Sequence, residues 1–128
     1  MKLRIRGDSI RLRLKQSEVR EVATGKSIVE TTRFPDATFC YRLELVDGDS
    51  CATTFSGGTM TIGLPRDAVV AWASGNEVAI KHEQMLADGA LTVLVEKDFA
   101  CLTPGDHRDH DDDADTFPHP DAGSGDGC

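Results

Sequence analysis

The chain has no run of eighteen apolar residues, few aromatics and no paired-cysteine motif, and each lack closes off a class of protein. Without such a run no transmembrane helix is available. The opening MKLRIRGDSIRLRL alternates aliphatic and charged residues. It therefore lacks the continuous apolar core of a secretory leader, and the expectation is a cytoplasmic protein with no membrane partner. The four cysteines, Cys40, Cys51, Cys101 and Cys128, fit neither a disulfide framework nor a C-x-x-C metal knuckle. There is no Gly-x-Ser-x-Gly elbow, no phosphate-binding glycine loop and no His-Glu-x-x-His pair. No catalytic residue is assigned on this basis, and a non-enzymatic protein is expected. With 39% hydrophobic and 5% aromatic residues, the 128-residue chain makes a real core only if nearly all of it folds together.

What is present is charge, unevenly placed. The net charge of −8 conceals a basic head, where residues 1–20 hold seven Lys/Arg against two acids. It also conceals an acidic end, where residues 103–128 hold eight Asp against one Arg. Such asymmetry on one short chain invites an electrostatic function.

A second regularity is an echo at a spacing of fifty. Gly7 falls on Gly57, Leu14 on Leu64, Val19 on Val69, Ala23 on Ala73 and Gly25 on Gly75. In the same frame Ile28 meets Val78, and Tyr41, Leu43 and Leu45 meet Leu91, Val93 and Val95, without a gap. Each half reads as strand, turn, strand, short helix, strand, strand. Leu3, Ile5, Ile10, Leu12 and Leu14 alternate with Lys2, Arg4, Arg6, Arg11, Arg13 and Lys15, a period-two hairpin with one apolar and one cationic face. Ser17 is the expected N-cap of the first helix, with Gly25 as its stop. Pro65 opens RDAVVAWA, and Gly75 ends it. A helix of about seven residues is unstable alone. Units of about fifty residues are marginal alone. The two repeats, 1–50 and 51–100, should therefore share one core. The expected fold is mainly β, α+β in class, a pseudo-two-fold barrel-like body over residues 1–102 followed by a largely flexible acidic tail over 103–128.

The stretch GGTMTIGLPRDAVVAWASGNEVAI, and more loosely GDSIRLRLKQSEVREVATGKSI, resembles the SpoVT/AbrB swapped-hairpin module of bacterial transcription factors and antitoxins. The resemblance implies a tandem of interleaved hairpins. DNA-binding modules of that kind carry basic residues around the strand entering the helix. Here Gly58, Thr59 and Thr61 stand there with only Arg66 nearby, so fold carries over more readily than DNA binding. As a whole, through MKLRIRGDSIRLRL, VEKDFACL and DDADTFPHP, the chain resembles an uncharacterised bacterial family of conserved hypothetical proteins, which implies no activity.

Two constellations remain. Arg4, Arg6, Arg11, Arg13 and Lys15 on the cationic hairpin are the candidate anion-binding set, for an acidic macromolecule that is either nucleic acid or an acidic protein. No aromatic is interleaved to stack a base, and a net negative molecule repels polyanions at long range. The plain alternative is a solvated face that keeps an edge hairpin from aggregating. In the tail, His107 and His110 with Cys101 are candidate ligands for a divalent transition metal such as zinc or nickel. Asp109, Asp111, Asp113 and Asp115 alternate like a calcium loop, but Ala114 and Pro120 occupy its glycine and glutamate positions. Cys101 is otherwise a buried small hydrophobe or a reactive thiol. Phe117, a lone aromatic among charges, is the candidate anchor that would pin the tail over the cationic hairpin as a counter-charge. His82 is expected as a solvated strand residue and Trp72 as core. Pairing of halves across chains, as a homo-oligomer, is open.

Overall fold

The computed structural model describes residues 1–98 and Phe117. The period-two runs become strands β1 (Lys2–Arg6) and β2 (Ser9–Leu14), with Leu3 opposite Leu12 and Arg4 opposite Arg11. Along β2 the residues Ile10, Leu12 and Leu14 are buried while Ser9, Arg11 and Arg13 point the other way. Helix α1 (Gln16–Ala23) follows, then β3 (Ile28–Arg33) and β4 (Thr38–Val46). The second half repeats the order as β5 (Ala52–Ser56), β6 (Thr59–Pro65), α2 (Arg66–Ser74), β7 (Ala79–Leu86) and β8 (Gly89–Lys97). Among the described residues no helix is long and apolar enough to cross a membrane.

The strands form two four-stranded sheets, β1-β2-β8-β7 and β3-β4-β6-β5. Each sheet takes one hairpin from each half, joined at its centre by a parallel pair, β2 with β8 and β4 with β6. The expected closed barrel does not form. Where it would close, the facing edges are joined through side chains instead of a backbone ladder. The Gln84 carboxamide of β7 accepts from the Thr53 N–H at 2.8 Å and donates to its C=O at 3.0 Å on β5. On the other side the Met1 ammonium binds the carboxylates of Glu18 and, on β3, Glu30. The Tyr41 hydroxyl donates to the Met1 carbonyl at 2.8 Å. Its pKa is raised, first by burial and then by the Glu30 and Glu18 carboxylates. A row of side-chain bonds satisfies edge groups without drawing the backbones to the ~4.8 Å that a ladder requires.

The core lies between the sheets and under the helices. Leu12, Leu14, Val22, Leu43, Ile62, Leu64, Val69, Trp72, Val93 and Val95 are essentially sealed from solvent. Trp72 is core, as expected, and its indole N–H donates to the Val78 carbonyl at 3.1 Å, so its one polar group is satisfied. Two local expectations change. Helix α1 is capped at Lys15, with Glu18 accepting the Lys15 N–H at 2.9 Å, so Ser17 lies inside the helix. The two matched glycines serve different ends. Gly25 has φ +101°, whereas Gly75 is needed because a Cβ there would come within 2.8 Å of the Ala71 carbonyl oxygen.

The fifty-residue frame holds only through the helices. Ile28 pairs with Leu43, which lies beside Ile62; in the other half Ile80 pairs with Val95, which lies beside Leu12. Leu43 therefore corresponds to Val95, not Val93, and Ile28 to Ile80, not Val78. Two extra residues sit between Gly75 and Ile80. A slip of two leaves every side chain on its original face, so a period-two pattern cannot register it.

Candidate functional site: the outer face of the first sheet

The register across β1-β2-β8-β7 sets out three rows on the solvent side. The central row runs Arg4, Arg11, Leu94, Lys81. Toward the hairpin tips lies Arg6, Ser9, Thr92, Glu83, and toward the helices Lys2, Arg13, Glu96, Ala79. Arg4, Arg6, Arg11 and Lys81 line a single groove of about 410 Å³ together with Ser9, Thr92 and Leu94. Its neighbour, about 230 Å³, is lined by Lys2, Leu3, Arg4, Arg11 and Arg13.

Four of these six cations already have partners. Arg13 Nε donates to Glu96 Oε1 at 2.7 Å, and Arg11 Nε lies 3.5 Å from the same oxygen. Glu96, largely buried, thus holds two guanidinium groups in fixed positions at the middle of the face. Lys2 Nζ lies 3.4 Å from Asp98 Oδ2, and Lys81 Nζ is 4.0 Å from Glu83 Oε1 with both side chains exposed. Arg4 and Arg6 are exposed, and among the described residues neither has an ion-pair partner. Arg4 and Arg6 thus present guanidinium groups not engaged by a carboxylate of the described residues, with Arg11 and Lys81 as flanking charge.

Of the residues singled out from sequence, Arg4, Arg6, Arg11 and Arg13 come together here. Lys15 does not: the chain turns from β2 into α1 at that point, and Lys15 stands half-buried at the helix cap, lining neither groove. The sequence reading missed Lys81, Leu94 and Glu96. Lys81 sits on an alternating run that could have been read, but only the long-range pairing of β8 beside β2 brings it to this groove.

His107, His110 and Cys101, the metal candidates, lie outside the described residues, as does the acidic stretch expected to cover the hairpin. Among the described residues no cluster of three or more His, Cys, Asp or Glu could hold a metal. Phe117 is described. It packs against the core at a groove formed by α1 (Val19, Arg20, Ala23) and α2 (Val70, Ala73), and its N–H donates to the Asp98 carbonyl at 2.8 Å. Lys97 Nζ stands 5.2 Å from the centre of its ring and donates to the Gly75 carbonyl at 3.1 Å. Burial lowers the Lys97 pKa, with Glu77 opposing the shift. His82 departs from expectation: it is half-buried on the inward side of β7, and its Nε2 is enclosed with no hydrogen-bond partner among the described residues.

The model of a family described as a family of unknown function, DUF7009, matches residues 1–121, and the chain belongs to that family. No curated protein and no solved structure matches.

Proposed function

We propose that this member of the DUF7009 family is a cytoplasmic, non-enzymatic binding protein whose ligand is an acidic macromolecule held on the outer face of the first sheet. The observation that carries the reading is the single groove shared by Arg4, Arg6, Arg11 and Lys81, two of whose cations lack ion-pair partners among the described residues. Such an arrangement leaves Arg4 and Arg6 unpaired by the carboxylates of the described residues. Residues 103–128, with eight aspartates against one arginine, serve in this reading as a counter-charge on the same chain. The same reading takes the halves as a tandem duplication of a swapped-hairpin unit akin to SpoVT/AbrB; the exchange of one hairpin between halves in each sheet supports it.

The test is a titration of the full chain at low salt against two fluorescent polyanions, polyglutamate and oligothymidylate, followed by anisotropy. At least one should bind, more weakly as salt rises. The double variant Arg4→Ala/Arg6→Ala should bind it about tenfold less tightly or worse. Changing Asp111, Asp112 and Asp113 to Asn should tighten binding. Binding indifferent to both arginines would rule the reading out.

A further inference from the structure

A face made only to neutralise a polyanion would be uniformly basic, and this one is not. Leu94 stands in its central row, between Arg11 on one side and Lys81 on the other. Glu96 occupies the row toward the helices and Glu83 the row toward the tips. With strands ~4.8 Å apart, the row from Arg4 to Lys81 is about 14 Å long, with the leucine in its second half. Cations therefore flank an apolar patch, and carboxylates bound it on two sides.

We infer that the ligand of this face is an acidic protein segment carrying an apolar side chain between its carboxylates, rather than a nucleic acid. The inference rests on the anion-binding reading above and names the partner class within it. In an extended segment, carboxylates two residues before and two after an apolar residue stand about 13 Å apart and on the same side. One set then meets Arg4 and Arg11, the other meets Lys81, and the apolar side chain covers Leu94. The discrete charges of such a segment leave Glu96 and Glu83 uncovered.

A nucleic-acid strand fits the same surface poorly. Its phosphates recur without a break, so a strand laid along the sheet would set some of them against Glu96 or Glu83. Among the described residues the groove holds no aromatic side chain on which a base could stack. The net charge of −8 opposes the approach of a long polyanion more strongly than that of a short acidic segment.

The experiment uses the full chain and its Asp111→Asn/Asp112→Asn/Asp113→Asn form, so that the chain's own acids do not mask the face. Three probes are titrated at low salt. The first is a fluorescein-labelled peptide reading Asp-Asp-Ala-Leu-Ala-Asp-Asp. The second replaces its leucine with serine, and the third is oligothymidylate of equal or greater charge. The leucine peptide should bind most tightly and lose roughly tenfold or more with Arg4→Ala/Arg6→Ala. Leu94→Gln should weaken the leucine peptide by about fivefold and leave the serine peptide unchanged, since only the former buries apolar surface there. Oligothymidylate binding as tightly as the leucine peptide, through the same arginines, overturns the inference and keeps the anion-binding reading. Equal binding of the two peptides, insensitive to Leu94→Gln, also overturns it. If none of the probes binds either form of the protein, both readings fall.

Discussion

The two sheets are built to one plan and finished differently on the outside. Across the first, the central outer row is Arg4, Arg11, Leu94, Lys81; across the second, in the corresponding places, it is Thr54, Thr61, Arg42, Val29. The inner rows match far better: Leu3, Leu12, Val95, Ile80 in one and Thr53, Ile62, Leu43, Ile28 in the other. The core constrains one face of each strand, and the other face is free to take on a task. The first sheet has put three cations in that row and the second a single one, Arg42. The place of Arg13 is taken in the second sheet by Gly63, where a Cβ would lie 2.6 Å from Val46 Cγ1. That position is given over to packing.

The comparison can be broken first through what the sheets share. Leu12 and Ile62 are both fully buried, at equivalent places. Leu12→Ala and Ile62→Ala should each cost about 2–5 kcal/mol in urea unfolding, and a large inequality would show that the two sheets do not carry the core alike. The outer faces should then separate in binding. Arg4→Ala/Arg6→Ala should reduce affinity for an acidic probe at low salt by roughly a hundredfold at most, while Thr54→Ala/Ser56→Ala leaves it unchanged. Anisotropy titration distinguishes the two.

A smaller effect is expected where the second sheet has been closed to side chains. Gly63→Ala should destabilise by about 1–3 kcal/mol, because Val46 has to move or the strand has to shift. The matching change on the first sheet, Arg13→Ala, removes an exposed partner of Glu96 and should cost under about 1 kcal/mol. Thermal unfolding of the two variants makes the contrast.

The smallest effect concerns Lys97, which takes the place of Leu45 on the inner face. Burial lowers its pKa in the folded state below the ordinary value of 10.5. The unfolded chain therefore binds the proton more strongly, and Lys97 weakens the fold at neutral pH. That penalty lifts as pH rises from the lowered value to about 10.5, where the unfolded lysine also loses its proton. Lys97→Leu should accordingly be at least as stable as the parent at pH 7, with the difference narrowing toward alkaline pH. Tyr41 acts in the opposite sense: its raised pKa means stability is lost as pH climbs past 10, so the pair is best compared in a Tyr41→Phe background. A gap that widens with pH would contradict the assignment.

Much of the fold could be read from alternation alone. The strands around Ile10, Leu12 and Leu14 and around Met60, Ile62 and Leu64 announce themselves by period two, and the helices by their glycine and proline limits. Lys97 was legible too, had the alternation of Leu91, Val93 and Val95 been followed one step further. The groove was only half legible. Arg4, Arg6, Arg11 and Arg13 share a hairpin, and local sequence suffices for them; Lys81 and Leu94 lie far along the chain and join through a parallel pairing that carries no local mark.

The amino-acid order alone determined which residues are strands, which side of each strand is apolar, and that one hairpin is cationic. Those are consequences of backbone geometry acting over neighbouring residues. Only the tertiary structure decided which hairpin lies beside which, that the second repeat is shifted by two residues, that the sheets stay open at their edges, and that Glu96 fastens Arg11 and Arg13 while Arg4 and Arg6 have no ion-pair partner among the described residues. Those outcomes depend on burial shared between distant segments, and a period of two is the same whichever partner, or whichever register two residues away, the strand finally takes.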